Sequence, residues 1–329
     1  MPVHYLETGS VDPCYNLALE QYVLEHRREG DWLLLWQNAN TVVVGLNQNT
    51  AEEIDPDFVA RRGITVVRRM TGGGAVYHDL GNLNYSFITD CGDYDRAALS
   101  AFTEPVVRAL RGLGLFAEAK GRNDIVVNGC KVSGTAQRIQ GGRILFHGTL
   151  LFDSDPEMIA GALRADPDKF RSKSTKSVRS RVGNIRSFLP HPMTMEAFWG
   201  YLKEELAEGE FQEIFPTKEE LLAISRLKQE KYDSWDWNFG SSPRYEKSVK
   251  KICQGGILKT GLTVSRGGVI SAVSFRGDFM SRRDVAEIEQ ALTGCLAEKE
   301  SLRNVLGRFP LEDYFGSISA DEIVESLVG

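Results

Sequence analysis

The chain has 329 residues and a formal net charge of −6 at pH 7, and at about 150 residues per domain its length predicts roughly two domains. This acidic balance argues against a protein whose whole surface binds nucleic acid or an anionic membrane. The 42% hydrophobic and 26% charged fractions are typical of a globular protein and exclude intrinsic disorder as its main state.

Location and redox state are predicted from short segments. The apolar runs are strand-sized, well below the roughly 18 residues that a membrane span needs, and the first ten residues show no secretory or transit signal. The five cysteines are widely spaced and contain no CxxC pair, a pattern that fits reduced thiols and argues against a zinc ribbon. We therefore expect a cytoplasmic protein.

In chain order, the first predicted element is a helix that begins at Asp12 and Pro13, a residue pair typical of a helix N-terminus. Two apolar segments follow, WLLLWQ and TVVVGL, and residues 38–40 between them predict a hairpin. Further strands with glycine-rich turns extend to about residue 152, before a region of helical spacing that reaches about residue 229. Because strands and helices do not alternate regularly, we expect an α+β fold and not a doubly wound parallel sheet.

A second, smaller unit is predicted after the Ser-Ser-Pro segment at 241–243. We expect residues 1–245 to form the larger domain, which carries the chemistry, and residues 246–329 to form a small α+β C-terminal domain. This second unit contains about three short strands with glycine turns. Two predicted capping boxes, which begin at Ser281 and Ser319, open helices there.

The segment RRMTGGGAVYHD, residues 68–79, is the most unusual part of the sequence. The three consecutive glycines at residues 72–74, which we call the glycine segment, allow the backbone to approach a ligand closely and to direct several N–H groups at an anion. A strand is predicted on each side, which excludes a Rossmann fingerprint, and the absence of a GK[ST] sequence excludes a P-loop. A flexible hairpin turn is the alternative, although the flanking arginines and His78 favour an anion site.

A second candidate segment is GRNDIVVNGCKVSGTAQR, residues 121–138. If residues 128–129 close a two-residue hairpin, Asp124 and Lys131 lie on adjoining strands. Period-two alternation then places Lys131, Ser133 and Thr135 on one face. Such a lysine resembles a cation directed into a nucleotide pocket, and an exposed lysine on a solvated strand is the alternative.

The remaining polar residues give weaker signals. His147 lies in FHGTLLF, where a histidine satisfied within a strand is the favoured interpretation. No HExxH motif, no His/Cys cluster and no GxSxG motif occurs, so neither a transition-metal site nor a serine hydrolase is indicated. Residues 164–186 include eight basic and two acidic residues, which predicts either a mobile basic loop that covers a ligand or a solvated segment without one.

Six segments in order resemble the lipoate–protein ligase family of the biotin and lipoate ligase superfamily: RRMTGGGAVYHDLGN, GRNDIVV, KVSGTAQR, FHGTLLF, KSVRSRVGNI and YDSWDWNFG. The resemblance implies a mixed sheet with flanking helices, similar to the catalytic core of class II aminoacyl-tRNA synthetases and biotin ligases. It also implies a two-step reaction, in which (R)-lipoate and ATP, with Mg²⁺, give lipoyl-AMP and pyrophosphate. The lipoyl group then passes to a lysine of an acceptor protein, either an E2 subunit of a 2-oxoacid dehydrogenase or the glycine cleavage H protein.

The same resemblance implies roles for individual residues. Lys131 is the implied catalytic residue, in contact with both the lipoyl carbonyl and the α-phosphate. Asp124 is expected either to orient Lys131 or to support magnesium. The implied ATP-binding residues are Arg69, Gly74, Ala75, Val76, Tyr77, Asp124 and Lys131. The implied lipoate-binding residues are Leu17, Trp36, Gly73, His78 and Lys131. The residues expected in a mobile loop over the adenylate are Lys173, Lys176, Arg179 and Arg181.

The sequence departs from the family pattern at one place, and two alternative functions stay open. Met70 and Thr71 stand where small polar residues are common in the family, which could reshape the entrance of the glycine segment. Related octanoyl and lipoyl transferases need no ATP and use a catalytic cysteine, so a cofactor-free acyl transferase is the alternative enzyme. Cys130 adjoins Lys131 but is expected on the opposite strand face. A non-catalytic lipoate-binding module is a third possibility.

Overall fold

A computed structural model describes residues 3–92, 99–121, 123–164, 182–239, 247–265 and 268–328. The strands are β1 (Val3–Glu7), β2 (Trp32–Trp36), β3 (Thr41–Val44), β4 (Thr65–Arg68), β5 (Val76–His78), β6 (Asn82–Asp90), β7 (Ala117–Lys120), β8 (Asp124–Val127), β9 (Cys130–Gln140), β10 (Arg143–Leu151), β11 (Phe211–Glu213), β12 (Lys247–Cys253), β13 (Gly256–Val264) and β14 (Ile270–Gly277).

The helices flank these strands. They are α1 (Pro13–His26), α2 (Thr50–Glu53), α3 (Pro56–Arg62), α4 (Leu99–Gly112), α5 (Pro156–Ala162), α6 (Met195–Leu206), α7 (Lys218–Leu227), α8 (Trp235–Asn238), α9 (Ala286–Leu292), α10 (Lys299–Leu306), α11 (Leu311–Phe315) and α12 (Ala320–Val328). A short 3₁₀-helix at Ile185–Phe188 and a π-helical turn at Lys228–Tyr232 complete the set.

The main sheet has eight strands in the order β11-β1-β2-β6-β10-β9-β8-β7. β1 runs parallel to both of its neighbours, and the other adjacent pairs are antiparallel. β2 is buried along its whole length: Leu33 and Leu35 pack with α4 and α6 on one face, and Leu34 packs with α1 on the other. The predicted mixed sheet with flanking helices is therefore confirmed.

Local chemistry explains the predicted elements that form where expected. The Asp12 carboxylate accepts hydrogen bonds from the backbone N–H groups of Cys14 and Tyr15, so it caps α1 as predicted. Asn128 and Gly129 both have positive φ values, 51° and 81°, and they join β8 to β9 in the predicted two-residue hairpin.

The predicted hairpin between the segments WLLLWQ and TVVVGL is wrong. β2 joins the main sheet, whereas β3 leaves it and forms a separate sheet in the order β4-β3-β5. β3 is parallel to β4 and antiparallel to β5, so the glycine segment connects two strands that do not pair with each other. The glycine segment is thus a connection that crosses β3, and the hairpin-turn alternative for it is wrong too.

The C-terminal region has its own sheet, β12-β13-β14, and its own apolar cluster with α9–α12. Ser319 and Glu322 form the predicted capping box, since each side chain accepts a hydrogen bond from the other residue's backbone N–H. The predicted box at Ser281 is wrong: α9 begins at Ala286, and the Ser281 hydroxyl accepts a hydrogen bond from Asn47 instead. Residues 240–246, where we place the domain boundary, lie outside the described residues, so that division stays a prediction.

Backbone hydrogen bonds join the C-terminal region to the glycine segment and its surroundings. The N–H of Gly73 donates to the carbonyl of Phe279 at 3.3 Å, and the N–H of Gly277 donates to Asn47 at 2.7 Å. Farther along, the N–H of Ile139 donates to Arg282 at 2.8 Å. The glycine segment is therefore held between β3 and the turn that follows β14.

Within the described ranges, no helix combines the length and the apolar character required to cross a bilayer.

We predict that Gly72→Ala loosens this contact. A Cβ atom at position 72 would lie 2.6 Å from the Ser281 hydroxyl oxygen and 2.7 Å from its backbone nitrogen, closer than real Cβ atoms approach. Hydrogen exchange should therefore become faster at the Gly277 and Ile139 amides, whose bonds cross the contact. Gly74→Ala is the matched control, because nothing lies within 4 Å of its Cβ position. Equal exchange in both variants would show that Gly72 is not required for docking.

Candidate functional site

Residues from five parts of the chain line one narrow cavity of about 120 Å³ beside the glycine segment. Those that the sequence singled out are Leu17, Trp36, Arg69, Gly73, Gly74, Ala75, Val76, His78 and Lys131. They come from α1, the end of β2, the β4–β5 connection, β5 and β9, and long-range packing alone brings them together.

The inner wall of this cavity is apolar with a few fixed polar groups. Leu17 projects from α1 and is buried, and Trp36 closes the end of β2. The indole N–H of Trp36 donates to the Ser86 hydroxyl at 2.9 Å, which fixes the ring plane. The His78 ring lies edge-on to Trp36 with centroids 6.4 Å apart. Such a wall suits an aliphatic ligand more than a charged one.

Arg69 holds the glycine segment from inside. The guanidinium uses its Nη2 group to donate to the carbonyls of Gly72 at 2.7 Å and Gly74 at 2.9 Å, and its Nη1 group donates to Val43 at 3.3 Å. Because these peptide bonds are trans, the carbonyls turned towards Arg69 direct the following N–H groups, including that of Ala75, to the opposite side. The N–H of Gly73 is already bound to the Phe279 carbonyl, so Ala75 supplies the N–H directed away from Arg69 that an anion site would use.

Lys131 lies at the start of β9, beside the hairpin turn, with its ammonium 2.6 Å from an Asp124 carboxylate oxygen. Both side chains are about one-third exposed, so the pair can be reached by a ligand. A Cβ atom at Gly134 would come 3.3 Å from Lys131 Nζ, which shows how closely the lysine lies along β9. Asp124 therefore fixes the position of Lys131 in the ligand-free protein.

The expectation that Lys131 and Ser133 share a strand face is wrong. Lys131 pairs with Val126, but Ser133 pairs with Ile125, because a β-bulge shifts the register between these two residues of β8. Neighbouring residues of β8 point to opposite faces, so Ser133 turns into the core on the side away from Lys131. Simple alternation cannot anticipate an inserted residue.

Two predicted residues lie outside the cavity wall. The Tyr77 side chain points to the other side of β5, where its hydroxyl donates to Asn40 at 3.0 Å, so only its backbone is near the glycine segment. Asp124 lines a neighbouring cavity of about 490 Å³ between the main sheet and the C-terminal region. The two cavities meet at Asn123, Thr135 and Ala136, which line both.

Sequence reasoning missed a buried polar network behind the cavity. His147 was expected to be an ordinary strand histidine, but it lines the cavity, and its Nδ1 lies 2.9 Å from the Glu20 carboxylate. Its Nε2 lies 2.8 Å from the Thr71 hydroxyl, which in turn accepts a hydrogen bond from Arg69 Nε at 2.9 Å. One signal was available: Glu20 interrupts the apolar spacing of Leu17 and Leu24 on α1, and a buried acid requires a partner.

Burial shifts the pKa values of two side chains that line the cavity, Arg69 and His78. It lowers the pKa of Arg69 to about 10, and the Glu20 carboxylate acts in the opposite direction. It also lowers the pKa of His78 to about 3, with Arg69 and His147 adding to the effect. Arg69 is therefore charged and His78 neutral at pH 7.

The predicted covering residues Lys173, Lys176, Arg179 and Arg181 lie outside the described residues. Just after them, Val182 forms a bridge with Lys131. The N–H of Gly183 donates to the Lys131 carbonyl at 2.9 Å. In the ranges that the structure covers, no group of three or more His, Cys, Asp or Glu side chains could by itself hold a metal ion.

Two family models match the chain. The lipoyl protein ligase A/B catalytic domain matches residues 12–207, and the bacterial lipoate protein ligase C-terminus matches residues 242–327. Lipoate-protein ligase LplJ of Bacillus subtilis is 43% identical over 95% of this chain and 96% of its own length. Lipoate–protein ligase 1 of Staphylococcus aureus is 42% identical, with the same two coverages.

Solved structures are similar as well. P. falciparum LipL1 in complex with lipoate matches with a TM-score of 0.80, at 23% identity over 99% of both chains, which is a likeness of fold. A bipartite lipoate protein ligase from Thermoplasma acidophilum, described with its E2 lipoyl domain, has a TM-score of 0.66 and 30% identity over 75% of this chain and all of its own. A lipoate-protein ligase A bound with ATP has a TM-score of 0.65 and 29% identity over 73% of this chain and 99% of its own.

We predict that His78 makes folding stability depend on pH. The unfolded chain binds a proton near pH 6.5 and the folded protein binds it only near pH 3, so stability is lost as the pH falls below 6.5. At pH 5 this single group should remove about 2 kcal/mol relative to pH 7.5. Urea unfolding at the two pH values measures the loss, and His78→Asn, which keeps a group to pair with Asn38, should reduce it by about that amount.

The matched control is His26→Asn, because His26 is exposed at the end of α1. This variant should keep the wild-type difference between the two pH values. If His78→Asn also keeps that difference, His78 does not cause the acid sensitivity.

Proposed function

The chain belongs to the lipoyl protein ligase A/B family, and we propose that it is an ATP-dependent lipoate–protein ligase. It would convert lipoate and ATP into lipoyl-AMP and pyrophosphate, and then transfer the lipoyl group to a lysine of an acceptor protein. The observation that carries this proposal is the position of Lys131. Lys131 lines the same cavity as the apolar residues Leu17 and Trp36 and the backbone of Gly73 and Gly74, so one cation shares a space suited to an aliphatic acid and to an anion-binding backbone.

The first step joins two anions. The lipoate carboxylate attacks the α-phosphorus of ATP, a P–O bond to the carboxylate forms, and the bond to pyrophosphate breaks. At about 4 Å, two like charges repel by about 4 kcal/mol at an effective dielectric near 20. Lys131 would offset this repulsion by contacting the carboxylate and the α-phosphate together, and Asp124 would hold the ammonium in place until the substrates arrive.

In the second step the neutral amine of the acceptor lysine attacks the carbonyl carbon of lipoyl-AMP. The carbonyl oxygen becomes an oxyanion, the amide bond forms, AMP leaves with the bonding electron pair, and the amine loses a proton. Lys131 would stabilise both the oxyanion and the departing phosphate. The reaction needs no nucleophile from the protein, and positioning with fixed charges accounts for the rate.

The ATP site would be built from backbone as much as from side chains. Gly74, Ala75 and Val76 line the cavity beside Lys131, and the backbone of Tyr77 continues the same strand. Arg69 would act on ATP chiefly through the glycine segment, because four of its five N–H groups already bind Val43, Thr71, Gly72 and Gly74. The structural relative described as bound with ATP supports this site.

Magnesium would enter with the nucleotide. Mg²⁺ in phosphoryl-transfer sites commonly takes one or two protein carboxylates and completes its shell with phosphate oxygens and water. Asp124 is a partly exposed carboxylate beside Lys131, so its chemistry fits this requirement. Asp124 would hold the ion, which when bound would supply positive charge that offsets the negative charge of the phosphates.

Leu17, Trp36, Gly73 and His78 would surround the aliphatic arm and the ring of lipoate. A neutral His78 suits this role, because a charged ring would be costly beside an apolar ligand. The relative described as a complex with lipoate has the same fold, which is consistent with this use of the cavity.

The acceptors would be lipoyl domains of 2-oxoacid dehydrogenase E2 subunits and the glycine cleavage H protein. The archaeal relative described with an E2 lipoyl domain supports this class of partner. We propose a cytoplasmic location, since the five cysteines, all within the described part of the chain, form no disulfide.

The cysteine-dependent alternative receives little support from the thiols. Burial raises the pKa of Cys14 to about 12 and that of Cys253 to about 11, so neither is a ready nucleophile. Cys130 adjoins Lys131 and is the cysteine to test.

We predict that Lys131→Ala folds normally and loses about a hundred- to a thousand-fold in adenylation rate, because the ligand-facing cation is removed. The measurement is lipoate-dependent exchange of labelled pyrophosphate into ATP. Lys218→Ala is the matched control, since it removes an exposed lysine of α7 outside the cavity. Normal exchange in Lys131→Ala would exclude the proposed role of Lys131.

Two further results separate the ligase from the alternative enzyme. Cys130→Ser should retain both pyrophosphate exchange and transfer to a lipoyl domain. Absence of exchange in folded wild-type protein, combined with transfer that Cys130→Ser abolishes, would favour the cofactor-free transferase.

A further inference from the structure

Thr71 occupies an unusual position in the site. It is completely buried, and it lies between Arg69 and His147 without lining the ligand cavity itself. Its hydroxyl oxygen accepts a hydrogen bond from Arg69 Nε at 2.9 Å and lies 2.8 Å from His147 Nε2. A single hydroxyl therefore connects the cation that holds the glycine segment with His147 of β10, which also lines the cavity.

The proton positions follow from the partners. Arg69 can only donate, so the Thr71 hydroxyl must direct its own hydrogen elsewhere. With the hydrogen of a neutral His147 ring on Nδ1, that nitrogen donates to Glu20 at 2.9 Å, and Nε2 accepts the Thr71 hydroxyl hydrogen at 2.8 Å. Every bond in the chain from Arg69 to Glu20 is satisfied in this arrangement.

The far end of the hydrogen-bond chain is fixed through one Glu20 carboxylate oxygen, whereas the other is buried with no hydrogen-bond partner among the described residues. The Ser86 hydroxyl donates to the same Glu20 oxygen as His147 at 2.6 Å, so that oxygen receives two hydrogen bonds. Glu20 is 1% exposed and, like Thr71, does not line the cavity. Its negative charge also favours the charged form of Arg69, which burial disfavours.

We propose that Glu20, His147 and Thr71 form a hydrogen-bonded relay that positions Arg69 and, through Arg69, the backbone of residues 72–75. They are positioning residues for nucleotide binding, and this role rests on the proposed function of the site. Arg69 has many rotamers, and its forked donors must face the carbonyls of Gly72 and Gly74 for the N–H of Ala75 to point outward. The relay fixes the position of Arg69 Nε, the guanidinium nitrogen nearest the aliphatic part of the side chain, through its hydrogen bond to Thr71.

The test is a pair of substitutions at Thr71. Thr71→Val keeps the shape and removes the hydroxyl, whereas Thr71→Ser keeps the hydroxyl. We expect Thr71→Val to raise the KM for ATP in pyrophosphate exchange by about ten- to a hundred-fold, the size of a lost hydrogen bond to a charged group. Thr71→Ser should restore the value to near that of the wild type.

Thr260→Val is the matched control for stability. Thr260 is also a buried threonine, and its hydroxyl binds Ser326 at 2.8 Å within the C-terminal region. Thr260→Val should lower the unfolding temperature about as much as Thr71→Val does, without a change in the KM for ATP. A rise of the KM in Thr71→Val that exceeds the effect of Thr260→Val and is reversed in Thr71→Ser supports the relay.

A double-mutant cycle tests the connection itself. Glu20→Gln keeps the side-chain length and removes the charge, so it should also raise the KM for ATP. The double variant with Thr71→Val should be no worse than the stronger single variant, because one chain is broken in both. Fully additive effects, or an unchanged KM in Thr71→Val, would overturn the proposal.

If Thr71→Val fails to fold, Glu20→Gln alone decides, and an unchanged KM for ATP in that variant rejects the relay. Failure of the proposed function gives a different result. Pyrophosphate exchange would then be absent from the wild-type protein, whereas failure of the relay leaves wild-type exchange intact and Thr71→Val equal to it.

Discussion

The site depends on a guanidinium that is almost wholly removed from water. Arg69 is 6% exposed, and an unpaired buried charge would cost several kcal/mol. The protein compensates with backbone carbonyls of β3 and of the glycine segment, and with the Thr71 hydroxyl. Because those carbonyls must face the cation, the conformation of residues 72–75 follows from the need to solvate Arg69. A flexible sequence thereby acquires one defined backbone path.

The two cations of the site differ in what surrounds them. Arg69 is enclosed and bound to the protein's own backbone, so it is suited to a fixed structural task. Lys131 is about one-third exposed and bound to the Asp124 carboxylate, so it is open to an incoming ligand, as the proposed function requires. The two cations also stand on different parts of the fold: β9 of the eight-stranded sheet carries the exposed lysine, and the enclosed arginine directly follows β4 of the smaller sheet.

The sequence predicts those features that depend on neighbouring residues. The Asp12 cap, the hairpin at residues 128–129 and the mixed fold class all follow from local chemistry and spacing, and the structure has them. Nine of the residues that the family resemblance singled out also come to line one cavity, although their roles stay predictions. A glycine triplet between two strands is sufficient to indicate where the backbone adopts a conformation or a close contact that other residues would not allow.

The features that the sequence does not predict depend on partners that are distant along the chain. Glu20 and His147 are 127 positions apart, and neither residue alone distinguishes a polar network from an ordinary surface or core position. The bulge before Lys131 and the departure of β3 from the main sheet have the same origin, because register and sheet membership are decided by tertiary pairing. Ser281 looks locally like a helix cap, but Asn47 is the residue that binds it.

The glycine triplet has one further consequence for how this motif evolves. Gly72 is small because the C-terminal region packs on it, Gly73 has a φ of 90° that few other residues adopt, and Gly74 faces open space. Three adjacent glycines therefore differ in what requires them: packing at Gly72, backbone conformation at Gly73, and neither of these at Gly74. In a homologue without the C-terminal region, position 72 would be released to vary, while position 73 would remain glycine on conformational grounds alone. An invariant column in an alignment would not reveal which of these constraints maintains it.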